Sequence, residues 1–463
     1  MDFLLNVSKD RPGTLRAQIE GSMRAAIRDG SLRPGTPVPS TRDLAGQLGI
    51  SRRVAVDAYA QLAAEGYLEM RQGAQPRVAA GPLPAAPAAR EEPAPPPLRF
   101  DFRPARPDVS SFPREAWARC LREAVTGITV DDLGYGDAFG MDALRDGLAD
   151  YLGRVRGVVA ERGRVVVTNG YLQGLGLLCR ALATRGAHRI ALEDPSSWEE
   201  DHIAARAGLE PVRVPVDDAG LRVDLLAAAG ADAVVLTPAH QHPTGVVLAP
   251  ERRAALVAWL RERDAIAIED DYDAEYRYDR PAVGALQGLD PDHVVYAGTV
   301  SKVLAPALRL GWLVVPASLT ALVRHERMLS DQGTARIEQL ALARFLERGD
   351  LDRHLRRMRI RYRTRRDVMI DALAADLPGA RVRGIAAGLH VTVDLPPGHD
   401  EAAVRRAAAS RGIGLNTMAD YRSAEGDHPA TLILGYSQMS ESRIRTGVRE
   451  LADAVRAARG SRA

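Results

Sequence analysis

The sequence predicts an α/β protein in two parts. A small N-terminal helix-turn-helix head with a two-stranded wing precedes a large α/β body, which ends in a small α+β lobe. Three observations predict this. Residues 14–62 hold three apolar patterns of helical period, the second opened by Ser40 as a capping residue. Residues 79–98 are nearly all Ala and Pro, a composition that extends and cannot bury a core. Beyond them, strand-like runs alternate with helical stretches, as a sheet covered by helices requires. The expected boundaries are therefore 1–78 for the head, 79–98 for a tether and 99–463 for the body. At ~3 Å per residue the tether reaches roughly 60 Å.

Composition narrows the class. The 463 residues suffice for two or three domains, and the hydrophobic fraction of 46% is that of an ordinary globular protein. A net charge of +2 does not by itself imply nucleic acid. Cys120 and Cys179 stand in apolar or helical contexts, which suggests a reducing compartment rather than a disulfide framework. No signal peptide and no bilayer-spanning run is read, so the expectation is a soluble cytoplasmic protein without a membrane partner.

In the head, Leu15, Ile19, Met23 and Ile27 recur at helical spacing after Thr14, and Asp29-Gly30 stops the run. Ser40, with Asp43 three residues on, caps a helix carrying Leu44, Ala45 and Leu48 that ends at Gly49. Ser51 opens a third helix, carrying Val54, Ala55, Ala58, Tyr59 and Leu62. Two short helices joined by a tight turn form a helix-turn-helix. Ser51, Arg52 and Arg53 then lie at the helix end from which base edges are read. Residues 66–71 and 77–78 supply the wing. A small helical subdomain with a solvated arginine cluster is the alternative.

In the body, the polar residues at strand ends are informative. Val165-Val166-Val167-Thr168 runs into Asn169-Gly170 and a helix at Tyr171, and a helix start behind a glycine leaves N–H groups for a phosphate. The strand at 190–194 leads to Trp198, a stacking ring or an ordinary packed tryptophan. The strand at 234–237 leads to His240-Gln241-His242-Pro243-Thr244-Gly245. No metal is expected there, because the segment supplies no third ligand. The strand at 266–268 ends in Glu269-Asp270-Asp271-Tyr272. A carboxylate at this place can pair with a pyridinium, and a tyrosine can donate to a phenolate. Paired acids for magnesium are the alternative.

The strand at 294–297 leads to Gly298-Thr299-Val300-Ser301-Lys302 and then Arg309. The chain has only two lysines, Lys9 and Lys302, against 62 basic residues in all. A solvated charge tolerates replacement by arginine, whereas a Schiff base needs an amine that can lose its proton. Lys302 at a strand end is therefore a candidate anchor for an aldehyde cofactor such as pyridoxal 5'-phosphate (PLP). Ser301, Thr299 and Arg309 are placed for its phosphate. A leftover surface lysine is the alternative.

Residues 12–78, with Pro39-Ser40-Thr41-Arg42-Asp43-Leu44-Ala45, Leu48-Gly49-Ile50-Ser51-Arg52 and Glu65-Gly66-Tyr67-Leu68, resemble the winged helix of GntR-type regulators. Gln75-Pro76 stands where that family commonly has a second glycine at the wing tip. The order of strand ends resembles fold-type I PLP enzymes of the aminotransferase class. Its most specific stretches are Glu193-Asp194-Pro195, Thr237-Pro238-Ala239-His240-Gln241, Glu269-Asp270-Asp271-Tyr272 and Ser301-Lys302 with Arg309-Leu310-Gly311. Nearly the whole chain is similar to the MocR-type subgroup, which joins the two.

The resemblance implies the following roles. Lys302 forms the Schiff base with PLP, Asp270 pairs with the pyridine nitrogen, and Tyr272 faces the phenolic oxygen. Gly170, Tyr171, Ser301 and Arg309 serve the phosphate, and Trp198 lies over the ring. His242 replaces the asparagine that aminotransferases have before Pro-Thr-Gly. Tyr135 matches a tyrosine that reaches the neighbouring subunit's cofactor, which implies a homodimer. Arg42, Ser51, Arg52 and Arg53 contact operator DNA. The function implied is a PLP-binding transcriptional regulator. Its signal is PLP itself, in control of vitamin B6 synthesis, or a PLP-reactive amine or amino acid. A catalytic aminotransferase with an accessory DNA-binding head is the alternative.

Two further expectations concern the C-terminal third. Asp420 stands before Tyr421, where the family's carboxylate-binding arginine is expected, and Arg422 replaces it only if the loop register slides by two. The basic helix at 351–366 reads as a solvated face beside an acidic partner rather than a nucleic-acid surface.

Overall fold

The computed structural model describes residues 7–8, 10–79, 97–278, 283–423 and 428–459. Lys9 and almost all of the expected tether lie outside them. The chain divides into two compact units, Met1–Pro95 and Pro96–Ala463.

The first unit holds α1 (Leu15–Arg28), α2 (Thr41–Leu48), α3 (Arg52–Ala64), β1 (Leu68–Glu69) and β2 (Arg77–Val78). The Ser40 cap read from sequence sets the start of α2, and a second serine cap sets the start of α3. Ser40 Oγ accepts the Asp43 N–H at 3.2 Å, and Ser51 Oγ accepts the Val54 N–H at 3.4 Å. Such a cap is worth about 1 kcal/mol. Ile19, Met23, Leu44, Tyr59 and Leu62 are wholly buried in one core. The strands pair antiparallel with Leu68 opposite Val78, and Gln75 Nε2 donates to the Val38 carbonyl at 3.2 Å. That bond ties the wing to the segment before α2.

The second unit opens with β3 (Phe100–Asp101), α4 (Arg114–Gly127) and α5 (Asp142–Arg156). The αβ alternation follows: β4 (Val165–Thr168), α6 (Tyr171–Arg185), β5 (Arg189–Asp194), α7 (Trp198–Arg206), β6 (Glu210–Asp217), β7 (Gly220–Leu221) and the single turn α8 (Leu226–Ala229). Then come β8 (Ala233–Leu236), α9 (Pro250–Arg263), β9 (Ile266–Asp271), β10 (Val294–Thr299), β11 (Gly311–Val314), α10 (Ala317–Ser330) and α11 (Arg336–Glu347). The eight strands form one sheet in the order β4-β11-β10-β9-β8-β5-β6-β7. Only β11 and β7 run against the others. Strand residues are buried on both faces, as a parallel sheet between helices demands. Val166, Leu192, Val235, Ile268 and Val295 pack with Leu178 and Leu182 of α6 on one face. Ala191, Val234, Ala267 and Val294 pack with Leu256 and Leu260 of α9 on the other. The parallel strands β4, β5, β8, β9 and β10 therefore end along one edge.

The chain closes with α12 (Asp350–Asp376), β12 (Arg381–Arg383), β13 (His390–Asp394), α13 (Glu401–Ser410), β14 (Ile413–Gly414), β15 (Asn416–Thr417), β16 (Thr431–Gly435) and α14 (Glu441–Arg459). The lobe sheet is antiparallel in the order β12-β13-β16-β15, and β14 pairs with β3. On α12, Arg361 and Arg365 reach Asp108, while Arg356 and Arg363 face outward. Cys120 and Cys179 are buried and free. Among the described residues no helix is long and apolar enough to cross a membrane.

Candidate functional site: a cavity at the strand ends

A cavity of about 650 Å³ opens where the parallel strands end, and its lining includes Asp270, Tyr272, Ser301, Lys302, Arg309 and His242. Its acidic floor comes from the alternation of β9. Glu269 and Asp271 point to the far face, because side chains alternate along a strand. There Glu269 accepts the Leu286 and Gln287 N–H groups, both at 2.9 Å. Asp271 takes Arg156 Nε at 2.7 Å and the Tyr296 hydroxyl at 2.8 Å. Asp270 alone lines the cavity. Its Oδ1 is buried without a hydrogen-bond partner. Burial first, and then the charges of Glu200 and Asp271, push its carboxyl well above the usual range, with Lys302 opposing. The three acids thus do not converge, and no group of metal-ligating side chains occurs among the described residues.

Lys302 Nζ donates to the Ala105 carbonyl at 2.9 Å. Burial lowers its pKa, while Asp270 and Asp273 pull it back up. A depressed lysine holds more free amine at neutral pH, the form that attacks a carbonyl.

One side of the cavity is built by the start of α6. Its N-cap, Gly170, has φ 91°, a backbone that side-chain-bearing residues rarely adopt. Arg309 Nη2 donates to the Asn169 carbonyl at 2.6 Å, which sets its guanidinium beside the helix start. It is held there by a turn and a short 3-10 segment (Pro306–Leu308). Thr299 Oγ1 donates to Ser301 Oγ at 2.9 Å. The Tyr171 hydroxyl is committed to Glu200 Oε1 at 2.8 Å, so what it offers an anion is its backbone N–H.

Trp198 lines the cavity as the first residue of α7 and is 57% exposed. Tyr135 is 94% exposed and lies in a separate depression with Met328 and Leu329, outside its own chain's cavity. His242 has a buried Nδ1 without a partner, and burial lowers its pKa to about 3, so the ring is neutral. Arg422 does not enter the cavity. It lines another hollow with Arg381 and Arg383.

Several groups of the site carry no local sequence signal. Glu193 accepts from Thr237 N, Thr237 Oγ1 and Gln241 Nε2, and burial pushes it up to about 7. Glu200 accepts from Tyr171 and Ser196. Arg405 of α13 lines the cavity and pairs with Asp420 at 2.5 Å. Asp420 also accepts the Thr417 N–H at 2.9 Å. The two oxygens of Asp420 are therefore both engaged.

These features fit PLP. Asp270 Oδ1 needs a buried cationic donor, which a pyridinium N–H provides. The α6 start with Arg309 suits a dianionic phosphate, and Lys302 supplies the amine.

The model of class I and II aminotransferases matches residues 108–421, and that of the bacterial regulatory proteins of the gntR family matches residues 15–78. A kynurenine aminotransferase of Pyrococcus horikoshii superposes with a TM-score of 0.70 at 26% identity, over 77% of this chain and 91% of that one. The HTH-type pyridoxine biosynthesis transcriptional regulator PdxR of Corynebacterium glutamicum is 33% identical over 98% of this chain and 99% of its own length. A probable rhizopine catabolism regulatory protein, MocR of Rhizobium meliloti, is 31% identical over 99% of this chain and 97% of its own. A winged helix joined to an aminotransferase-like body defines an HTH-type transcriptional regulator. The chain belongs to the MocR-type branch of the GntR family.

Proposed function

We propose that the body binds PLP and that its occupancy sets the affinity of the head for operator DNA. Lys302 would hold the aldehyde carbon and Asp270 the pyridine nitrogen. Tyr272 and His242 would face the phenolic oxygen, and Gly170, the Tyr171 N–H, Ser301 and Arg309 the phosphate. Trp198 would cover the ring. Bound PLP supplies an electron-withdrawing ring and a reactive carbonyl. The protein's own groups orient it, exclude water and keep its ring nitrogen protonated.

The observation that carries PLP as signal, rather than an amino acid, is the Arg405–Asp420 pair. A substrate carboxylate needs a free guanidinium, and here the guanidinium at the far end of the cavity already has a carboxylate. The same pair removes Asp420 as an attractor for a cationic amine. The name of the Corynebacterium relative, a regulator of pyridoxine biosynthesis, supports the same signal. The catalytic-aminotransferase reading loses ground for the same structural reason.

Residues 1–78 form the DNA-binding part of this reading and 99–463 the sensing part. Arg42, Ser51, Arg52 and Arg53 are all exposed on α2 and at the start of α3, where a major groove can meet them. The exposed Tyr135 supports a homodimer in which it completes the second copy's cavity. Such a regulator works in the cytoplasm, where its operator is. The test is operator binding by fluorescence anisotropy with apo-protein, with PLP, and with PLP plus a panel of amino acids and amines. PLP alone is expected to change the affinity. No effect of PLP, together with a submillimolar amino acid that shifts both the visible spectrum and the affinity, refutes the proposal.

A further inference from the structure

Behind Tyr272 lies a buried chain of polar groups that no role assigned so far requires. His240 Nδ1 stands 3.1 Å and 3.0 Å from the two oxygens of Asp273. The Tyr272 hydroxyl oxygen lies 3.1 Å from the same nitrogen. The His240 and Asp273 side chains are 3% and 1% exposed. The small lobe is shaped around them. At Gly388, φ +73°, an added Cβ would come within 2.2 Å of His240 Cε1 and 2.6 Å of Asp273 Oδ2. The pair therefore fills a space that any side chain at position 388 would close.

The geometry fixes the direction of a proton. A ring nitrogen between two carboxylate oxygens carries its hydrogen and donates it. Nδ1–H has no lone pair to offer, so the Tyr272 hydroxyl cannot donate back to it. The Tyr272 oxygen, 3.1 Å from Nδ1, can at most share that one N–H with Asp273, so its own proton is left for the cavity that Tyr272 lines. Burial, with the charges of Asp273, Asp270 and Glu193, raises the Tyr272 pKa, so the hydroxyl keeps that proton.

We propose that His240, held by Asp273, is a positioning residue that makes Tyr272 an obligate hydrogen-bond donor toward the phenolic oxygen of bound PLP. The inference rests on the reading of the cavity as a PLP site. The other titratable groups facing this cluster are Asp270 on β9, Glu193 on β5, Lys302 after β10, His242 on the same loop, His390 on β13, Tyr436 after β16, and Glu275, Tyr276 and Tyr278 just beyond Asp273, with burial pushing Glu275 up to about 7. His242 and His390 are held neutral, their pKa values lowered to about 3 chiefly by burial. His390 Nε2 donates to the Pro243 carbonyl at 3.1 Å, which keeps its proton away from the cluster. Asp273 is thus the acceptor that sets the His240 tautomer.

The test is a pH titration of the visible absorption band of PLP bound to the full-length protein. A hydroxyl that donates to the phenolic oxygen stabilises its anion and lowers the pH at which the bound chromophore gives up its proton. Tyr272→Phe should raise the midpoint by about one to two pH units, the equivalent of one hydrogen bond to a charged atom. Asp273→Asn lets His240 Nδ1 become an acceptor for Tyr272, and His240→Leu removes the partner altogether. Both should move the midpoint toward the Tyr272→Phe value. His240→Asn carries an amide N–H close to where the imidazole has Nδ1 and should restore the parent midpoint. The isosteric Asp273→Asn and the His240→Asn rescue decide the matter even if His240→Leu does not fold. Parent-like midpoints for Asp273→Asn and His240→Leu, with a shift only in Tyr272→Phe, overturn the proposal. A Tyr272→Phe protein that titrates like the parent also overturns the proposal but leaves the PLP reading standing, whereas a parent with no visible band overturns the PLP reading beneath it.

Discussion

Asp270 should weaken the empty protein and strengthen the loaded one. Its carboxyl is buried, with Oδ1 unpartnered, and its folded pKa lies well above the ordinary 3.8. The folded state therefore keeps a proton that the unfolded chain has already lost. Stability of the apo-protein falls as pH rises from the usual carboxylate range through the folded pKa, and stays lowered above it. Asp270→Asn removes this loss without changing shape. An unsatisfied buried group costs about 1–3 kcal/mol, more when charged. Without PLP, the Asp270→Asn variant should thus melt higher than the parent above neutral pH, and the gap should close in acid. With PLP the order reverses. One hydrogen bond between charged groups contributes about 1.5–3 kcal/mol, so the variant should bind PLP roughly 10- to 100-fold more weakly. Differential scanning fluorimetry across pH and a spectroscopic PLP titration read the two halves. An Asp270→Asn protein that is no more stable when empty and binds PLP like the parent refutes the reasoning.

Three further outcomes are expected. Borohydride reduction of the PLP-loaded protein should fix the cofactor on Lys302, and Lys302→Ala should abolish fixation with the fold intact; peptide mass spectrometry reads it, and an adduct on Lys9 would rule out the anchor. Arg52→Ala should weaken operator binding by about 1–3 kcal/mol and relax its sequence preference, as the loss of a base contact does, which anisotropy with the operator and with base-substituted sites measures. Asp420→Asn keeps an acceptor for Thr417 but frees Arg405, so amino acids should perturb the bound-PLP spectrum at roughly tenfold lower concentration than in the parent; an unchanged response would remove Arg405 from the argument.

The parts of this protein that local chemistry dictates are legible in its sequence. Ser40 and Ser51 announce their helices because a cap is a three-residue event. The strand ends announce the cavity because each polar residue follows directly on an apolar run. Lys302 stands out because arginine has replaced lysine at almost every other basic position. What is not legible is non-local. Glu193 meets Gln241 across 48 residues, and His240 meets Asp273 across 33, pairings that no local pattern encodes. In sequence, Arg422 is a replacement clamp if two positions of slip are free. The turn at Asp420 is fixed by its bond to Thr417 N, and the Ser196 N–H to Tyr421 carbonyl bond fixes the next residue, so the register has no slack. Adjacency alone leaves magnesium open as the alternative for the acids of β9, yet strand alternation sends two of them to the opposite face.

The Arg405–Asp420 contact is half exposed, and an ion pair of that kind adds only about 0–1 kcal/mol to the fold. Its weight falls elsewhere. Asp420 is an intramolecular competitor, tethered beside the Arg405 guanidinium that a ligand's carboxylate could otherwise use. Its local concentration there is set by the fold, and dilution does not remove it. An amino acid must evict a resident, whereas a ligand that asks nothing of Arg405 meets no contest. In the proposed reading, a body built this way passes over free amino acids without needing a smaller pocket.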